Sequence, residues 1–133
     1  MSDKVILSRA HRDALYRELL GGLGDELDDL RRFGKSKDPE TLEGLGRIGR
    51  RVADALRLIQ DGGLGWGFPA GKDPLELKLP REELRRIMEA LRGDCATLEE
   101  SERAEREEEQ RHWRQTRESR EACNAVLDQL GER

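Results

Sequence analysis

The sequence predicts a mainly all-α fold: an antiparallel helical hairpin, then a long charged C-terminal helix, with a minor two-stranded β ribbon over residues 4–8 and 75–79. Three observations predict it. Leucine dominates an apolar set of 35%, while aromatic residues supply only 4%, a poor composition for the Val-, Ile- and Tyr-rich sheets of sandwiches and barrels. Apolar residues recur three or four apart through three long stretches, the period of one helix face. Only two short runs, "KVILS" and "PLELKL", alternate with period two.

The first element follows "KVILS", where Ser8 stands as an N-cap, so a helix should begin at about Arg9. Leu15, Leu19, Leu23, Leu27 and Leu30 give it one apolar stripe. Gly21, Gly22 and Gly24 interrupt the middle, each at a cost of about 1 kcal/mol relative to Ala, so the helix kinks there or is held by close packing. Phe33 and Gly34 end it. Asp38 as N-cap and Pro39 at the first helical position start the second helix, whose ladder is Leu42, Leu45, Ile48, Val52, Ala55, Leu56 and Ile59. The short loop between the two makes them antiparallel neighbours.

The glycine-rich connection "GGLGWGFPAGKD" comes next, and Pro80 then opens a third helix with the core stripe Leu84, Ile87, Met88, Leu91, Cys95 and Leu98. From Glu99 to His112 no large apolar residue occurs. Opposite charges recur instead at four-residue spacing (Glu99 with Arg103, Glu102 with Arg106, Glu107 with Arg111), which predicts a self-supporting solvated rod roughly 21 Å long. Two arrangements remain open. An unbroken helix would hold Cys95 and Cys123 roughly 42 Å apart; a break at Gly93 and Asp94, or near Thr97, would let the last helix fold back. The expected division is a helical core over 1–98 and a charged arm over 99–133 within a single domain.

Composition limits function. With 41% charged residues the core of this 133-residue chain is thin, and a formal charge of −4 argues against a dedicated nucleic-acid binder, which needs a surplus of Lys and Arg on its docking face. No apolar run approaches the roughly 18 residues of a membrane span, and "MSDKVILSRAHRD" holds no apolar stretch of signal-peptide length, so no membrane partner and a cytoplasmic location are expected. Cys95 and Cys123 form neither a CxxC nor a disulfide framework and are expected as helix-face residues.

Three motifs invite chemistry and fail its requirements. "GFPAGKD" has only three residues between Gly67 and Gly71 and puts Asp73 where a phosphate-binding loop needs a hydroxyl; it is a hinge, with Trp66 and Phe68 filling gaps at the bundle end. "GLGRIG" places Gly44, Gly46 and Gly49 in a GxGxxG, but inside a capped helix and not after a strand, so the glycines are expected to let helices approach. Glu109 and His112 have ExxH spacing, yet no second ExxH exists to complete a carboxylate-bridged metal pair. No catalytic residue, cofactor or metal is expected.

The apolar pattern returns beyond the charged rod as Trp113, Thr116, Cys123, Val126, Leu127 and Leu130, a surface expected to meet a protein partner or a second copy of the chain. The expected function is therefore a non-catalytic regulatory or adaptor role. The alternative is a nucleic-acid-associated regulator using Arg47, Arg50, Arg51 and Arg57 of the second helix with Arg81, Arg85, Arg86 and Arg92 of the third.

"VILSRAHRDALYRELL", "IGRRVADALRLIQDGGLGW" and "LELKLPREELRRIMEALR" together resemble a group of short bacterial proteins from high-GC Gram-positive lineages with no assigned activity. The likeness covers Val5 to Arg92 and lies in spacing and Leu placement. It implies a helical fold with the "GW" turn after the second helix and supplies no catalytic or binding residues.

Overall fold

The structure is a computed structural model that describes residues 4–67, 74–103 and 110–131; for 101–103 and 110–113 it describes the backbone alone. Strand β1 (Val5–Leu7) leads into helix α1 (Arg9–Phe33), followed by α2 (Pro39–Leu56), which widens into one π-helical turn at Arg57–Asp61. Strand β2 (Leu75–Leu77), α3 (Arg81–Arg103) and α4 (Gln110–Leu130) complete the order. The fold is mainly α with a minor ribbon, as the composition predicts.

Local chemistry sets the helix starts. Ser8 Oγ accepts the His11 amide at 3.2 Å, and the Asp38 carboxylate accepts both the amide and the hydroxyl of Thr41, at 3.0 and 2.8 Å. Those bonds satisfy donors that a helix start leaves orphaned. The Thr41 hydroxyl, then its amide, hold the Asp38 carboxyl below its ordinary value. Helix α1 runs without interruption through Gly21, Gly22 and Gly24, and a Cβ at Gly21 or Gly24 would meet nothing within 4 Å. Close packing is thus not what holds these glycines. The same open space lies at Gly46 and Gly49 of α2, which corrects the expectation that they permit a close helix approach.

β1 and β2 pair antiparallel with Val5 opposite Leu77 and Leu7 opposite Leu75. Val5, Leu7 and Leu77 point into the core, while Ile6 faces out. The outer edge of this ribbon is closed by a side chain. Gln129 of α4 accepts the Ile6 amide at 2.7 Å and donates to the Ile6 carbonyl at 2.6 Å, offering both halves of a strand's hydrogen bonding from one amide.

The last helix departs most from expectation. Helix α3 continues through Gly93 and Asp94, and Thr97 does not cap a new helix, because its hydroxyl donates back to the Gly93 carbonyl at 3.1 Å. The expected break sites are therefore helix interior. Helix α4 instead lies antiparallel along α3, with Arg120 paired to Glu99 near the end of α3 and Arg81, at its start, donating to the Leu130 carbonyl. Glu99 is buried beneath Arg120, which replaces the expected solvated rod at that position. The rest of the rod, from 101 to 112, lies outside the described side chains.

One core unites these elements. Leu15, Leu19 and Leu23 of α1, Leu58 and Ile59 of the π turn, Leu84, Ile87 and Met88 of α3, and Cys123, Val126 and Leu127 of α4 belong to a single buried cluster. Arg12 is a charged side chain buried beside it, 1% exposed. Its guanidinium donates to the carbonyls of Leu64 (2.9 Å), Gly65 (2.6 Å) and Gly67 (2.6 Å) and lies 4.4 Å from the Tyr16 ring centre. A buried charge is tolerable only when its donors are met, and here the glycine-rich turn meets them. In the described part of that turn Gly63, Gly65 and Gly67 take φ of +86°, +79° and +91°, and residues 68–73, where the hinge is expected, lie outside the described residues. Trp66 does not plug a gap as expected. It stands half exposed with its ring edge-on to Tyr16 at 6.4 Å, and Phe68 lies outside the described residues.

Candidate functional site

The sequence-predicted partner surface is interior. Thr116, Cys123, Val126, Leu127 and Leu130 are all buried against the chain's own α1 and α3, so as placed they offer no surface to another molecule. The physical reason is the packing of α4 on α3, which gives the stripe that seemed to need a partner one within the chain. Ser119, which sequence reasoning passed over, sits at 0% exposure and donates to the Ala14 carbonyl at 3.2 Å, locking α4 against α1. The Trp113 and His112 side chains, like Glu109, lie outside the described residues. Among the described residues no three of His, Cys, Asp and Glu gather as a metal site.

The arginines of α2 and α3 are largely committed to carboxylates. Arg86 forks onto Asp54 at 2.9 and 3.0 Å, Arg51 meets Asp94 at 3.2 Å, and Arg57 meets Glu83 and Asp61, each at 2.9 Å. The hydrogen bonds that Arg57 donates to Glu83 and Asp61 raise its pKa, and the bond accepted from Arg57 lowers that of Glu83. Arg81 caps the end of α4, Arg92 is half-buried, and Arg85 also has a partner. Arg47 and Arg50 stand on the outer part of α2. The structure does not bring these side chains together as one basic face.

A crevice between α1, α2 and α3 is lined by Glu18, Gly22 and Glu26, by Arg51 and Asp54, and by Ile87, Leu91 and Asp94. Burial raises the Glu26 carboxyl, Arg51 opposes the shift, and Asp94, Asp25 and Asp29 add to it. At about 50 Å³ the crevice has room for a water or two and is far below the roughly 300 Å³ at which small-molecule sites begin.

Beyond this crevice the hairpin outruns the bundle. The last buried position of α1 is Leu23, and in α2 the only one is Ala55, near its end. From the level of Gly22 and Arg51, which share the crevice, successive turns outward bring Leu27 near the level of Ile48, Leu30 near Leu45 and Phe33 near Leu42. Leu27 is 52% exposed, Phe33 49% and Leu42 46%, with Leu30, Leu45 and Ile48 half-buried. Two helices alone cannot cover their shared seam, because each seam residue touches one neighbour where a bundle would give it two or three. The spacing places Leu27, Leu30, Leu42, Leu45 and Ile48 on the apolar stripes of the two helices and Phe33 at the end of the first. The missing signal was how far α3 and α4 reach along these stripes.

Among the described residues no helix is long and apolar enough to cross a membrane. Comparison with models of protein families, with curated proteins and with solved structures finds no match to this chain.

Proposed function

We propose that the protein acts without catalysis, as a regulatory or adaptor module working through helix-mediated protein–protein contact, and that its docking surface is the distal half of the α1–α2 hairpin. The observation that carries this reading is the stop in burial at Leu23 and Ala55, while the same apolar ladder continues to Phe33 and Leu42 at about half exposure. An apolar patch of this kind on an otherwise highly charged surface marks a contact site.

The occupant is the same face of a second copy. α3 and α4 cover the near half of the hairpin, so a two-fold axis across the far half sets the two bodies at opposite ends and lays each bare tip on the other, completing a four-helix layer. Roughly ten residues per helix at about 1.5 Å each, over two helices about 10 Å wide, give a face on the order of 300 Å² per copy. That is small for a stable interface, so the dimer is weak and reversible.

Sedimentation from about micromolar to millimolar protein tests it. A monomer–dimer equilibrium abolished by Leu27→Glu or Leu42→Glu, with the helical spectrum intact, is the expected result. A monomer at every concentration, or a dimer indifferent to both substitutions, overturns it.

A further inference from the structure

Cys95 of α3 and Cys123 of α4 are both fully buried, and neither is in a disulfide. Their relative level follows from the Glu99–Arg120 pair. In an antiparallel helix pair, one turn back along α3 from Glu99 reaches Cys95, and one turn onward along α4 from Arg120 reaches Cys123, so the two steps run the same way and end at one level. The thiols share a neighbourhood as well. Cys95 Sγ donates to Glu18 Oε1 at 3.3 Å, the charges of Glu18 and Asp94 act on both sulfurs, and a charge on Cys123 opposes one on Cys95.

In the closed molecule this pair is inert. Burial, then Glu18, raises the Cys95 thiol steeply, and the same causes push Cys123 up to about 12, with Arg92 opposing. The thiolate is the nucleophile in disulfide exchange, so neither sulfur reacts until α4 lifts and water reaches it. Access, not proximity, is then the controlling variable.

We propose that Cys95 and Cys123 form a latent cross-link: when α4 opens, a small-molecule disulfide oxidises the pair to an intramolecular disulfide, and reclosure pins α4 to α3. One cysteine thiolate attacks the oxidant's S–S bond, releasing one thiol and leaving a mixed disulfide. The other cysteine attacks the protein sulfur of that mixed disulfide and displaces the second thiol. Two protein thiols lose two electrons and two protons, and the oxidant becomes two thiols. The bond closes the loop from α3 to α4, so the oxidised form opens less often.

The test uses the full chain with oxidised glutathione, followed by intact mass, peptide mapping and amide exchange, with dithiothreitol reversal. Expected are a monomer lighter by two hydrogens with no glutathione retained, one peptide linking Cys95 to Cys123, and exchange across α4 slowed at least tenfold. Cys123→Ala should retain a single glutathione. Two retained glutathiones, disulfides only between molecules, thiols that never react, or a linked form whose α4 exchanges faster would each overturn the proposal. The unsubstituted chain alone decides it if the variant does not fold.

Discussion

Arg12 Nη2 donates to the carbonyl oxygen of Gly65 at 2.6 Å, and through this bond a residue in the first turns of α1 fixes a turn fifty-three positions later. With Leu64 and Gly67 also accepting, one guanidinium satisfies three backbone oxygens that nothing else on α1 could reach together. Arg12→Met should therefore cost roughly 3 kcal/mol, since the buried Leu64 carbonyl is orphaned and the part-buried bonds to Gly65 and Gly67 are lost with it. Arg12→Lys should recover less than half of that, because an ammonium lacks the planar fork. Urea denaturation of the three proteins checks both statements.

Helix α4 supplies core rather than an appendage. Leu127→Ala, at a fully buried site, should cost about 2–5 kcal/mol, whereas Leu27→Ala at the half-exposed tip should stay within about 0.5 kcal/mol. A chain ended after Leu98 loses Ser119, Cys123, Val126 and Leu127 together, and its far-UV spectrum and amide exchange should be those of a largely unfolded protein. A cooperative, helical truncated chain would refute the single core.

Glu26 gives a pH dependence of defined sign. Its folded pKa lies above the ordinary 4.5, chiefly through burial, so the folded chain holds the proton more tightly than the unfolded one. The stability this contributes is present below 4.5 and is lost as pH rises through the folded value. Glu26→Gln should therefore be more stable than the parent at pH 7, with the advantage shrinking toward pH 4. Equal differences at both pH values would contradict it.

Glycines in this chain fall into two kinds, and alanine substitution should separate them. Gly46 lies inside α2, where an added Cβ would meet nothing within 4 Å, so Gly46→Ala should stabilise by about 0.4–1 kcal/mol. Gly63 has φ of +86°, and a Cβ there would come 2.9 Å from the Glu76 carbonyl oxygen, so Gly63→Ala should destabilise by about 1–3 kcal/mol. Thermal melts of the two variants in parallel provide the check.

Much of this architecture is legible from residue spacing. The Ser8 and Asp38 caps, the Leu ladders of α1 and α2 and the period-two alternation of "VIL" and "LEL" depend on neighbours within a few positions, where local rules operate. The course of α4 does not. A charged run between two apolar stripes is equally compatible with a rod and with a reversal, and Thr116, Ser119, Cys123, Val126 and Leu130 at three- to four-residue spacing were the signal that a buried stripe was present. Arg12 was illegible for a related reason. Besides Asp13 and the Tyr16 ring, its partners are the backbone oxygens of a distant turn, which leave no trace in side-chain pattern. The exposure of the hairpin tip is not legible either, because periodicity tells which way Leu27 or Leu42 faces and not whether anything stands opposite it.

The stitch between Ile6 and Gln129 bears on how the molecule is made. During synthesis β1 leaves the ribosome well ahead of the amide that closes its edge, which follows 123 residues later. Until Gln129 is in place the strand's outer backbone groups have only water, so the closed ribbon edge is a late product of folding, and the seam stays open while the intervening 123 positions are made.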